Sequence, residues 1–258
     1  MTSNSTPDPD LPGCAALAPL MSFDPKALLS EDRDEQEVCD FVLMLSVVYN
    51  DFKDLIWAYH HLDHCRQPED GEVSSYNGQY VGMRNHLTRL FHSLIFEFTM
   101  LLRENKHILD HALFRKTLGF VSKENRTRWA ELLAFSRGEA NESAKDLLRI
   151  SMLLRHNITS HYYKPTFLAK GYKSFFENAK DEAHSSAFIS RGMSLDANRL
   201  YFADAALDGC IKRLVPSDKM HDIRQSLNAV ADFINRTLMD IVEKFIQARG
   251  FAWREHSG

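Results

Sequence analysis

The sequence predicts an all-α protein, built as an antiparallel helical bundle with accessory helices. Long segments place apolar residues at three- and four-residue steps. No segment shows the strict alternation of a half-buried strand, and neither a Gly-rich phosphate loop nor an internal repeat occurs. At 258 residues, 44% hydrophobic and 26% charged, the chain can bury a real core.

Residues 1–22 are rich in Pro, Asp, Ser and Ala without periodicity and read as a disordered or loosely docked tail; residues 23–258 read as a single helical domain. The first long helix is expected over 34–64, from Val38, Phe41, Val42, Leu45, Val48, Phe52, Leu55, Ile56 and Tyr59. Its acidic start (Glu31, Asp32, Asp34, Glu35, Glu37) suits the positive end of the helix dipole, and Pro68-Glu69-Asp70-Gly71 follows its end. A second long helix is expected over 79–105, with Leu87, Leu90, Phe91, Leu94, Ile95, Phe98, Leu101 and Leu102 on its apolar face. Shorter helices are expected over 109–121 and 126–135.

Asn141-Glu142-Ser143-Ala144 can cap the next helix, which is expected to run to about Thr159. Lys164-Pro165 reads as a stop, because the residue before proline is pushed out of helical geometry. Residues 177–196 are polar and small, and read as a long loop with at most one short helix. A last long helix is expected over 217–249, closed by Gly250.

The net charge of -4 means that the protein as a whole is not basic, so any basic stretch is a local feature. Cys14, Cys39, Cys65 and Cys210 form no CxxC pair, which fits reduced thiols in a cytoplasmic protein; Cys39, Cys65 and Cys210 read as small apolar fillers. The apolar run 93–102 is too short to cross a bilayer and contains Glu97, so no membrane partner is expected. The N-terminus lacks the basic and apolar regions of a secretory signal.

Against this background the stretch Leu153-Leu154-Arg155-His156-Asn157-Ile158-Thr159-Ser160-His161-Tyr162-Tyr163-Lys164-Pro165 stands out. No acidic residue occurs from Leu147 to Phe176, while Arg149, Arg155, Lys164, Lys170 and Lys173 alternate with Tyr162, Tyr163, Phe167, Tyr172, Phe175 and Phe176. Cations and aromatics without counter-acids suit phosphates and unstacked bases. Histidine titrates near neutrality and can move protons, and arginine grips phosphate oxygens through its planar fork. His161 is therefore the acid/base candidate and Arg155 the candidate that stabilises charge on phosphate. His156, Asn157, Tyr162, Tyr163 and Lys164 are candidate contacts to phosphate, base or partner. Six residues on an ideal helix rotate by about 600°, so Arg155 and His161 converge only if the helix ends or unwinds between them.

Arg155-His156 followed by His161 resembles the signature of the HEPN superfamily: an arginine, a polar residue, a short spacer and a histidine at the end of a bundle helix. The resemblance covers seven residues, and the wider bundle would span about 34–250. It implies RNA as the substrate, a homodimer whose two motifs meet across a two-fold axis, metal-independent cleavage through the ribose 2′-OH with no cofactor, and in many members an antitoxin protein as partner.

Other constellations carry less. His60 and His64 share a helix face, as metal ligands would, with His61 beside them and Glu97 or His92 as possible further ligands, but surface histidines near a helix end explain them more simply and no metal is expected. Glu97 could orient an arginine or histidine of the site. Arg84, Asn85, His86, Arg89 and His92 read as a solvated basic face. Two further functions compete with RNA cleavage: a non-catalytic RNA-binding or protein-interaction dimer, in which the helices over 34–64 and 217–249 hold a partner, and a metal-binding bundle in which His60, His64 and Glu97 converge.

Overall fold

The computed structural model describes residues 21–69, 72, 74–156, 165–177, 186–191, 193, 198–214 and 217–255. The fold is all-α. Its helices are α1 (Arg33–His64), α2 (Ser75–Glu104), the single turn α3 (Lys106–Leu109), α4 (Ala112–Phe120), α5 (Lys123–Arg137), α6 (Glu142–Leu154), α7 (Pro165–Glu177), α8 (Tyr201–Leu214) and α9 (Met220–Ala248). A two-residue antiparallel pair, β1 (Met21–Ser22) with β2 (Arg254–Glu255), matches Met21 to Glu255. The chain divides into two compact units, one from residues 1–61, 104–130 and 233–258, the other from 62–103 and 131–232.

In the first unit, Asp32 starts α1 by accepting from the backbone N–H of Glu35 at 2.9 Å. α1 then buries Val38, Phe41, Val42, Leu45 and Phe52. Phe41 meets Phe114 of α4 edge-on at 5.6 Å, and Phe114 lies 6.0 Å from Trp129 of α5. α9 adds Ile234, Leu238, Ile241, Phe245 and Ile246 to the buried set. Each fully buried side chain of this size contributes about 2–3 kcal/mol. The helix expected over 109–121 is α4, which starts later, at Ala112, after the separate turn α3. The break falls at His111, whose backbone is extended and whose Nδ1 accepts from the N–H of Leu113. Gly250 ends α9 at φ 82°, with the N–H of Phe251 donating to the carbonyl of Ile246, the closure expected of a glycine in the left-handed region. Arg249 ties this end to the start of α1 through Glu35 at 2.7 Å and the carbonyl of Leu29 at 2.6 Å.

The second unit holds the candidate site. Asn141 caps α6 as its sequence suggests, accepting from the N–H of Ala144 at 2.9 Å. Two helices were not legible in the sequence. Pro165, read as a stop, is the first residue of α7: proline tolerates that position because its missing N–H has no partner there anyway. α8 leaves little trace in the sequence because its buried residues Ala206, Gly209 and Cys210 are small and give little hydrophobic signal. α7 and α8 cross closely, Gly171 against Gly209, so closely that a Cβ on Gly209 would lie 2.9 Å from the carbonyl carbon of Gly171. Cys210 Sγ donates to the carbonyl of Phe167, and Arg213 to that of Lys170. Gly78 and Gly82 leave room on α2 for the Tyr201 ring and the Arg199 guanidinium. Arg199 is fixed there by both oxygens of Asp204, at 2.7 and 3.1 Å, and by Gln79.

Candidate functional site

Arg155 stands at the C-terminal end of α6, where Arg155 and His156 continue the helix in a wider π-type turn. Its Nε donates to Glu97 Oε1 of α2 at 2.7 Å; the arginine side chain is 24% exposed and the carboxylate half exposed. A pair this open to water adds less than about 1 kcal/mol to stability. Its consequence is positional: a planar guanidinium held on one edge has its direction set. His156 meets Phe96 of α2 edge-on at 5.1 Å. The structure therefore brings Arg155, His156 and Glu97 together on neighbouring turns. His161, Asn157, Tyr162, Tyr163 and Lys164 lie outside the described residues.

The same two helices share a buried polar contact that sequence reading missed. His92 Nδ1 lies 2.9 Å from Ser151 Oγ. Burial holds the His92 pKa down to about 4, so the ring is neutral near pH 7. A serine beside a histidine invites a nucleophilic reading, but Ser151 is 0% exposed and no substrate can reach it. The pair is a structural lock between α2 and α6.

This corrects the reading of Arg84 through His92 as a solvated face. Arg84 and His86 are exposed, whereas Asn85, Arg89 and His92 are buried. The signal was present: Asn85, Arg89 and His92 recur at four- and three-residue steps, the helical period written in polar residues. Together with Leu87, Phe91, Ile95 and Phe98 they bury α2 over a broad arc in its middle turns. Of the fillers, Cys39 and Cys210 are buried and their thiol pKa values are raised by that burial, but Cys65 is exposed, because it follows the last turn of α1.

His60, His61 and His64 line the exposed end of α1, where His61 stacks on Trp57 at 5.7 Å. Among the described residues no three His, Cys, Asp or Glu side chains converge as metal ligands, and His60, His64 and Glu97 do not gather. No described helix is long and apolar enough to cross a membrane.

The aromatics of α7 are arranged rather than scattered. Phe175 and Phe176 meet edge-on at 5.2 Å, Tyr172 lies 4.6 Å from Phe176, and Lys212 of α8 sits over the Phe175 ring. Phe175, Phe176, Phe188, Tyr201 and Phe202 wall an open cleft of about 260 Å³, large enough for one planar ring. No protein-family model, no curated protein and no solved structure matches the chain.

Proposed function

We propose that the chain is a HEPN-like, metal-independent endoribonuclease, of the toxin, phage-defence or RNA-processing kind, acting as a homodimer on single-stranded RNA. The observation that carries this reading is the guanidinium of Arg155, held by Glu97 at the end of α6 in a stretch without acids and followed six residues later by His161. A steered, permanently charged fork suits the oxygens of a phosphorane, where charge builds during phosphodiester cleavage. His156 and the aromatic walls of α7 and α8 supply further contacts of the kind single-stranded RNA uses.

The chemistry needs no metal. His161 takes the proton of the ribose 2′-OH, and the 2′-oxygen forms a bond to the adjacent phosphorus. The bond from phosphorus to the 5′-oxygen breaks, and that oxygen receives a proton from the protonated His161 of a second copy. The products are a 2′,3′-cyclic phosphate and a 5′-hydroxyl. Arg155 neutralises the phosphorane oxygens throughout. A dimer supplies one histidine for each proton transfer, and a protein antitoxin that covers the motif would silence both.

The test is cleavage of single-stranded RNA with chelator present, comparing the parent chain with Arg155→Ala, His161→Ala and Glu97→Gln. The first two are expected to lose about a hundredfold or more. Glu97→Gln, which keeps an acceptor and loses the charge, is expected to lose less. A 2′-deoxy substrate must be inert, and light scattering should give a dimer. Variants that cut as fast as the parent sink the proposal. Binding without cleavage, weakened by Arg155→Ala, identifies a non-catalytic RNA-binding dimer instead.

A further inference from the structure

Among the described residues, Arg89 presents a sharp electrostatic anomaly. It is only 9% exposed, and among the described residues no carboxylate lies within ion-pair distance of it. Other partly buried arginines each sit on an acid: Arg155 on Glu97, Arg199 on Asp204, Arg249 on Glu35. The hydrogen bond Arg89 does make runs from Nη2 to His86 Nδ1 at 3.2 Å. Its Nε is buried without a partner, and so is Nδ2 of Asn85 one turn earlier. A buried guanidinium facing a neutral ring and idle donors is destabilising unless an anion completes it.

The local geometry collects these donors. Helical side chains lean toward the N-terminus, and the contact with His86 shows that Arg89 folds back over the turn carrying Asn85 and His86. With Nδ1 accepting from Arg89, the His86 ring carries its proton on Nε2 and offers a further donor. Burial and the charges of Arg89 and Arg199 hold the His86 pKa below its ordinary value, so the ring does not add a second positive charge near neutrality. No Asp or Glu occurs between residues 73 and 96, and Asp204, which comes to α2 with Arg199, is engaged by that arginine through both oxygens.

We propose that Asn85, His86 and Arg89 form an oxyanion site that takes a phosphate group, separate from the Arg155 motif and independent of whether the chain cleaves RNA. The ion binds beside the exposed His86, reaches the guanidinium of Arg89 and the amide of Asn85 as these buried side chains turn out toward it, and supplies the negative charge the fold leaves out.

The test measures thermal unfolding of the full chain titrated with sodium phosphate, against sodium chloride at matched ionic strength, for the parent chain and Arg89→Gln. Phosphate should raise the parent Tm progressively, as any ligand of the folded state does, and leave the variant unmoved. In chloride alone Arg89→Gln should melt at or above the parent, because an unbalanced buried charge has been removed. A variant that melts lower in chloride and still responds to phosphate overturns the proposal. Asn85→Ala keeps the charge and loses one donor, so it should blunt the phosphate shift; an undiminished shift also overturns it. Binding of a single-stranded RNA across a salt series then separates the sources. A slope shallower by about one in Arg89→Gln marks a nucleic-acid backbone phosphate. An unchanged slope beside a lost phosphate response marks a free phosphate or phosphorylated small molecule. Because the readout is stability and binding, its failure is distinct from loss of cleavage in Arg155→Ala.

Discussion

The burial of His92 between α2 and α6 makes stability depend on pH to an extent that can be measured. In the unfolded chain His92 titrates near its ordinary value of 6.5, whereas burial holds it at about 4 in the folded protein. The unfolded state therefore binds the proton first as pH falls. The stability this neutral histidine secures is fully present above pH 6.5 and is lost as pH falls from there through 4. Each unit of separation is worth about 1.36 kcal/mol, so a gap of about 2.5 units corresponds to about 3.4 kcal/mol, of which about 3 is lost by pH 4. The perturbation is His92→Asn, which keeps a polar group near Ser151 but cannot titrate. Urea unfolding at pH 7 and pH 4 for both chains cancels the carboxylates they share. The parent should lose about 3 kcal/mol more than the variant between the two pH values. Parallel losses would show that His92 is hydrated or charged in the folded protein, and the buried lock between α2 and α6 would have to be abandoned.

Two further substitutions probe the packing. Phe114→Ala empties the centre of the Phe41–Phe114–Trp129 cluster and should cost about 3–5 kcal/mol in urea unfolding; a loss below about 1 kcal/mol would place that ring at the surface. Gly209→Ala puts a methyl 2.9 Å from the carbonyl carbon of Gly171 and 3.2 Å from Phe175 Cβ, and should cost about 1–3 kcal/mol by prying α7 from α8, read as faster amide exchange in those two helices; unchanged exchange would mean they are not in that contact.

The sequence carried its long helices plainly, because α1, α2 and α9 repeat large apolar side chains over many turns. Asn141 marked the start of α6 and Gly250 the end of α9 for the same reason that they work as caps. α8 failed to register because it packs through Ala206, Gly209 and Cys210, where closeness of backbone replaces bulk. Pro165 misled because one residue both ends and begins helices, and composition cannot say which. At the candidate site Arg155 and Glu97 could each be singled out in the sequence, and the structure joins them in an ion pair whose carboxylate is half exposed. The inward turn of Asn85, Arg89 and His92 was not, because polar residues at helical spacing are usually solvated and only the surrounding helices reverse that expectation.

The division of the chain into interleaved units has a consequence for the order in which the protein can be made. The unit that carries Arg155 is complete once residue 232 has been synthesised. The other unit opens with α1 yet takes Ile234, Leu238, Ile241 and Phe245 from the last segment. Through most of synthesis the apolar stripe of α1, with Phe41 and Phe52, waits without its final partners. On the ribosome, the half begun first is finished last, and the apolar face of α1 stays open until the final segment has emerged.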